Sequence, residues 1–373
     1  MRSRAASRTA VAVVATLALG ACGGSPTAAP VAGATSAVAG NPKTLETYQR
    51  INAMTGQQRT DELVQCAEEE GELSIYTSNT DIEDLVAEYE DLYDVDVSIY
   101  RGNSESVLQR VLQEQKASFF GNDVIETNAL ELNVSQKEGL LAPYEGALRD
   151  GIRQEAKADG WTGTRFNTFV VGWNTDLIKP GQEPKSYEEL ADPKWKGRVS
   201  MEVGDVDWFA ALYSYFLQHG KTEEQAKQLF QAIAANSKVA KGHTVQGELL
   251  SAGQFAVTLS SYSHTIDKAA ADGAPVAWRP SSGEPVQPLV VRPNGVGLMK
   301  NATHPCNALL FVDYELTGGQ KVFEDKFRVG ATEKAAKAIE GLDVVPVPEQ
   351  ELLDNSQKWD DMYASVIEAG TAS

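Results

Sequence analysis

From residue 71 to residue 316 the chain alternates short apolar runs with amphipathic stretches, and that alternation leaves few architectures open. Gly71-Glu-Leu-Ser-Ile-Tyr76 predicts a buried strand, Thr77-Ser78-Asn79 a loop, and Ile82, Leu85, Val86 and Tyr89 fall on one face of a helix. Thr80 and Glu83 have the spacing of a capping box for that helix. The unit then repeats. Residues 95–100 predict a strand, residues 101–104 a loop, Val107, Leu108, Val111 and Leu112 a helix stripe, and residues 123–126 a third strand. Such a chain builds a mainly parallel α/β sheet, and the loops leaving the carboxyl ends of its strands share one crevice. That rule places residues 77–79, 101–104 and 126–128 on a common rim.

A second set follows a long extended run at 166–174. Residues 198–202 and 255–259 predict strands, residues 206–218 and 229–235 helices, residues 289–299 another extended segment, and residues 306–316 an apolar helix. Two similar sheet lobes joined by two crossing strands satisfy this order most economically. The length of 373 residues suits two lobes.

Charge excludes one class of function. Fifty-two acidic residues against 33 basic ones give a formal charge of −19, the wrong sign for a nucleic-acid binder. The front of the chain carries an address: Arg2, Arg4 and Arg8 precede an apolar stretch at 9–20, as in a secretory signal peptide. Leu19-Gly20-Ala21-Cys22 resembles a bacterial lipobox, which implies a signal peptide at 1–21 and lipidation of Cys22. Removing those three arginines takes the formal charge to −22. Residues 23–42 carry no charge and are mostly small, so residues 22–43 are expected to form a flexible tether from the lipid. The two remaining cysteines, Cys66 and Cys306, are candidates for a disulfide in an exported protein. Its long loop would place it near the top of the chain-entropy range, about 5 kcal/mol.

Further along, Ala191-Asp-Pro-Lys-Trp-Lys-Gly-Arg198, Gly295-Val-Gly-Leu-Met-Lys-Asn-Ala-Thr-His-Pro305 and Phe311-Val-Asp before Gly318-Gly-Gln320 join Gly71-Glu-Leu-Ser-Ile-Tyr76 in a recognisable order. Together they resemble the type II periplasmic solute-binding proteins of ABC importers, in the group that takes ferric iron, thiamine, phosphonates or phosphate esters. The resemblance implies a two-lobed Venus-flytrap α/β fold with two crossing hinge strands. Lobe 1 would comprise 44–165 plus 291–330, lobe 2 166–290, and a helical segment at 331–373 would pack on lobe 2. It also implies a monomer at the outer face of the membrane, attached by lipid alone. Its partners would be a permease with its ATPase, its cargo a small molecule or metal ion, and it would have no cofactor, no catalysis and no nucleic acid.

The expected ligand-binding residues follow from the rim and from the family. Thr77, Ser78 and Asn79 offer hydroxyl, amide and helix N-terminal donors to an anion. Arg101 can fork onto a phosphate or carboxylate. Asp205 and Asp207 open a helix where ferric relatives carry small residues around an anion, so they suit an amine or metal, and Glu126 faces them across the rim. His243 and Thr244 fall in a polar contact region of the family, and Tyr262 falls where ferric binders carry paired tyrosines. Here Ser263 replaces the second tyrosine, which weakens a ferric site. If iron is the cargo, Tyr262, Glu126 and Tyr76 are its expected ligands, with Tyr100, His243 and His264 as substitutes.

The mixture of charges favours a phosphonate or phosphate ester, with ferric iron, with or without an anion, as the alternative. Thiamine comes third, because Trp173 and Trp208 are the main indoles near the expected loops. A cell-surface enzyme or sensor co-receptor on the same scaffold stays open. Two echoes of catalysis fail: Gly220-Lys221-Thr222 lacks the first P-loop glycine, Tyr215 standing there, and Ser260, Ser261 and His264 have no evident acidic partner.

Overall fold

In the computed structural model, which describes residues 39–371, the alternating segments line up in one mixed twelve-stranded sheet with helices packed against it. Three parallel strands begin it, β1 (Glu72–Thr77), β2 (Asp96–Arg101) and β3 (Val124–Asn128), with β1 in the middle. The helices α1 (Pro42–Asn52) and α2 (Gly56–Glu70) precede them, α3 (Ile82–Leu92) and α4 (Ser104–Lys116) connect them, and α5 (Ala129–Lys137) follows. A two-residue strand, β4 (Leu141–Ala142), leads to the long β5 (Thr162–Asn174), which is buried along its whole length.

Lobe 2 repeats the scheme with β6 (Val199–Glu202), α6 (Val206–Gln218), α7 (Glu223–Asn236), β7 (Ser237–Ala240), α8 (His243–Ser251) and β8 (Val257–Tyr262). After α9 (Ser263–Ala271) and β9 (Val276–Ala277) the chain returns through β10 (Leu289–Met299). The long strands β5 and β10 lie side by side, antiparallel, at the centre of the order β2-β1-β3-β10-β5-β8-β6-β7. The parallel character therefore holds inside each lobe and is broken by the two crossing strands. The remaining elements are α10 (Pro305–Glu315), α11 (Gly318–Asp325), β11 (Val329–Gly330), β12 (Val344–Pro346), α12 (Glu349–Asp354) and α13 (Ser356–Thr371).

Two apolar cores lie in the lobes. The first gathers Ile75, Leu85, Tyr89, Val107, Leu132, Leu309 and Phe311. The second is aromatic: Trp208, Phe209, Phe230, Trp359 and Tyr363 interlock, with the Phe209 and Phe230 rings 4.8 Å apart edge to face. Cys66 and Cys306 are joined in a disulfide that staples α2 to α10 across 240 residues of sequence.

Several expectations shift. α1 opens at Pro42 behind the N-cap Asn41, whose backbone N–H donates to the Lys300 carbonyl at 3.0 Å, so the last residues assigned to the tether belong to the body. Ile266, Val276 and Trp278, assigned to lobe 2, pack into the first core because α9 folds back over β5. The C-terminal segment divides: Ala336 and Ile339 join the first core, whereas Leu352, Trp359 and Val366 join the second. The capping box at Thr80 does not form. Asp81 is the N-cap of α3 without a side-chain bond, and the Thr80 hydroxyl accepts from Arg328 at 2.8 Å instead. The signal peptide, Cys22 and most of the tether lie outside the described residues. Among the described residues no helix is long and apolar enough to cross a membrane.

Candidate functional site

A cleft of about 450 Å³ opens between the lobes beside the crossing strands. Five helices begin at or beside it. Ser78 to Thr80 lead into α3, Asn103 caps α4 by accepting from the Ser106 backbone N–H at 2.8 Å, Asn128 caps α5, Thr244 lies in the first turn of α8, and Tyr262 caps α9. Each brings the positive end of a helix dipole to the cleft, which favours negative charge there.

Four guanidiniums line it: Arg101, Arg165, Arg292 and Arg328. Three of them are matched by carboxylates. Arg165, only 2% exposed, donates to Glu126, which is fully buried. Arg292 donates to Asp207 at 2.6 Å and to the Tyr262 hydroxyl oxygen. Arg328 donates to Asp81 at 2.6 Å. Arg101 alone has no carboxylate among the described residues; it is exposed at the cleft lining, and its Nε donates to the Asn79 carbonyl at 3.2 Å. The lining thus carries one unmatched positive charge amid neutral polar groups, including Ser78, Thr80, Ser104, Asn167, Thr265 and Asn294.

The lobe 2 wall is an aromatic stack. The Tyr262 ring lies 4.0 Å from His243 on one side and 5.4 Å from His264 on the other. Burial, then the nearby Arg328 and Arg165, hold the His264 imidazole well below its ordinary value, so it faces the cleft neutral. Burial would also lower His243, but the Asp205 carboxylate 3.0 Å from its Nε2 outweighs this and raises it. Burial raises the Tyr262 phenol against the pull of Arg292, which keeps the hydroxyl protonated.

Of the residues expected from the sequence, the structure brings Ser78, Asn79, Arg101, Thr244 and Tyr262, together with the substitute ligand His264, to the cleft lining. It does not bring the others there. The Thr77 hydroxyl donates to Glu126 at 2.5 Å, and Asn79 donates to the same carboxylate at 3.1 Å, so Glu126 is spent behind the wall. Asp205 and Asp207 are spent on His243 and Arg292, and His243 sits behind Tyr262. Tyr76 points away from the cleft, donating to Glu114 at 3.0 Å beside Tyr100. The proposed ferric set of Tyr262, Glu126 and Tyr76 is therefore not assembled, because each member already satisfies a neighbour in lobe 1 or the hinge.

Sequence reasoning missed Arg165, Arg292 and Arg328. A usable signal was present: Arg165 and Arg292 each stand inside an extended run that buries nearly every residue, and a buried guanidinium demands a partner.

Residues 114–294 fit the model of a family described as bacterial extracellular solute-binding protein. The chain is 24% identical over 271 residues to iron uptake protein A1 of Synechocystis sp., covering 68% of this chain and 74% of that protein. Its fold superposes on the apo ferric ion-binding protein A of Pasteurella haemolytica with a TM-score of 0.66 at 17% identity, covering 79% of this chain and 98% of the other. AfuA of Actinobacillus pleuropneumoniae, solved with exogenous fructose-6-phosphate bound, gives 0.64 at 21% identity, covering 80% and 99%. The chain therefore shares the two-lobed mixed α/β fold of these solved binding proteins, and its residues 114–294 are similar to the bacterial extracellular solute-binding family.

Proposed function

We propose that the protein takes iron(III) for an ABC importer as an anionic complex with a small oxyanion chelator. The observation that carries this reading is Arg101, an unmatched guanidinium in a cleft ringed by helix N-termini. A bare ferric ion is a hard cation that needs several anionic oxygens, and here Tyr262 is a protonated phenol held by Arg292 while the nearby carboxylates are engaged. An iron–carboxylate complex brings its own oxygens and presents negative charge to the lining. Iron, rather than the phosphate ester expected from the charge pattern, is favoured by what the similar proteins are named for.

The lobes would close on this cargo about β5 and β10, excluding water and strengthening the Arg101 contacts, and then surrender it unchanged to the permease. Calorimetry with ferric citrate, iron-free citrate and fructose 6-phosphate tests the reading. Binding of ferric citrate well above iron-free citrate supports it, and equal binding of the two defeats it. Preference for the sugar phosphate would favour a second reading, a phosphorylated solute without metal, which the same cationic lining and the fructose-6-phosphate-bound neighbour support.

The reading includes lipidation at Cys22 and a monomer at the outer membrane face. Cys22→Ala should then release the protein into the medium. New products on incubation with any of the three probes would instead indicate an enzyme.

A further inference from the structure

Beside the cleft, three carboxyl groups from three helices surround Arg292 of β10: Glu131 on α5, Asp207 on α6 and Glu349 on α12. Only Asp207 is bonded to the guanidinium. Glu349 meets α5 through Asn133, whose Nδ2 donates to Glu349 Oε2 at 2.9 Å. The Asn133 amide cannot turn around, because its oxygen accepts from Trp161 Nε1 at 2.8 Å. Glu349 Oε1 and Glu131 Oε2 are buried without a hydrogen-bond partner among the described residues. A buried oxygen with no donor tolerates a proton far better than a negative charge.

The two helices belong to different lobes. α5 is rooted in the first core by the buried Ala129 and Leu132, with only the partly buried Leu130 touching the second, and α12 is rooted in the second core by Leu352. We propose that the buried seat of Glu349 beside Asn133 is a proton-operated latch between the lobes, holding this arrangement while the Glu349 carboxyl is neutral and releasing it when that carboxyl ionises with its Oε1 still unpartnered.

The charges facing Glu349 support this. Arg292 on β10 is the one cation acting on it among the described residues, and Asp207 on α6 already holds it. Glu131 on α5 adds a second acid, and Lys358 on α13 is paired with Glu351 instead. Burial, opposed by the Asn133 hydrogen bond and Arg292 and reinforced by Asp207 and Glu131, pushes the Glu349 carboxyl from 4.5 up to about 8. With a raised value the latched form is favoured at low pH and weakens as pH climbs from the ordinary carboxyl range toward 8. One linked proton changes the lobe equilibrium by up to about tenfold per pH unit within that window.

The test is pulsed EPR on the full chain, spin-labelled at Lys116→Cys and Lys227→Cys, both exposed and one in each lobe, without ligand. Between about pH 5 and about pH 9 the interlobe distance distribution should broaden or shift, and Glu349→Gln should stay in the low-pH distribution throughout. Asn133→Ala should give the high-pH distribution already at low pH, with circular dichroism and melting temperature verifying its fold. An unshifted native protein, or Glu349→Gln moving with pH as the native protein does, overturns the proposal.

Discussion

The two walls of the cleft solve the problem of polar groups at a lobe boundary differently. In lobe 1 the wall is made of small donors at helix starts, with the buried Arg165 of the lining closed on Glu126 behind it. In lobe 2 the wall is a ring stack whose carboxylates reach out to His243 and to Arg292 on the crossing strand. Lobe 1 thus offers unspent positive potential, whereas lobe 2 offers shape and neutral edges. Arginine alone is no guide to the difference, since Arg165 and Arg101 share the cleft and do opposite work.

That contrast breaks most visibly at Arg165. Arg165→Met leaves Glu126 charged, buried and unpaired, which should cost about 3–5 kcal/mol of stability by denaturant titration. Adding Glu126→Leu should recover much of it. A small loss in the single variant would mean that the pair is not closed as described.

Arg101→Ala should do the reverse, weakening ferric citrate by about 1.5–3 kcal/mol in calorimetry while shifting stability by less than about 0.5 kcal/mol. Unchanged affinity would remove Arg101 from the site. Tyr262→Phe deletes the acceptor for Arg292 and one donor to the cleft, and should change ferric citrate affinity by only about 1 kcal/mol. Complete loss of iron binding in that variant would instead establish a phenolate ligand.

The smallest effect lies at the other end of lobe 1. The hydrogen bond to Asp123 raises the His304 imidazole above its ordinary value. This contribution is fully present below the unfolded imidazole value and is lost as pH rises through the raised one. His304→Asn should flatten that part of the stability–pH curve, by well under about 1 kcal/mol because the imidazole is partly solvated.

Much of the fold was legible because it rests on short-range periodicity. Ile82, Leu85, Val86 and Tyr89 are all buried on one face of α3, and the bounds of α6 and β10 agree with those read from the sequence. What failed to show was the choice of partners. Whether Glu126 meets a ligand or Arg165 depends on two strands 39 positions apart, and nothing local encodes it. The same holds for Asp207 with Arg292, separated by 85 positions. The rim loops were legible because strand direction fixes them; the spent or unspent state of each charge was not.

The pin between Asn41 and Lys300, near the α2–α10 staple, lies at the end of lobe 1 remote from the cleft mouth. A pull applied at Asn41 would therefore load first the half of the molecule that the disulfide cross-links.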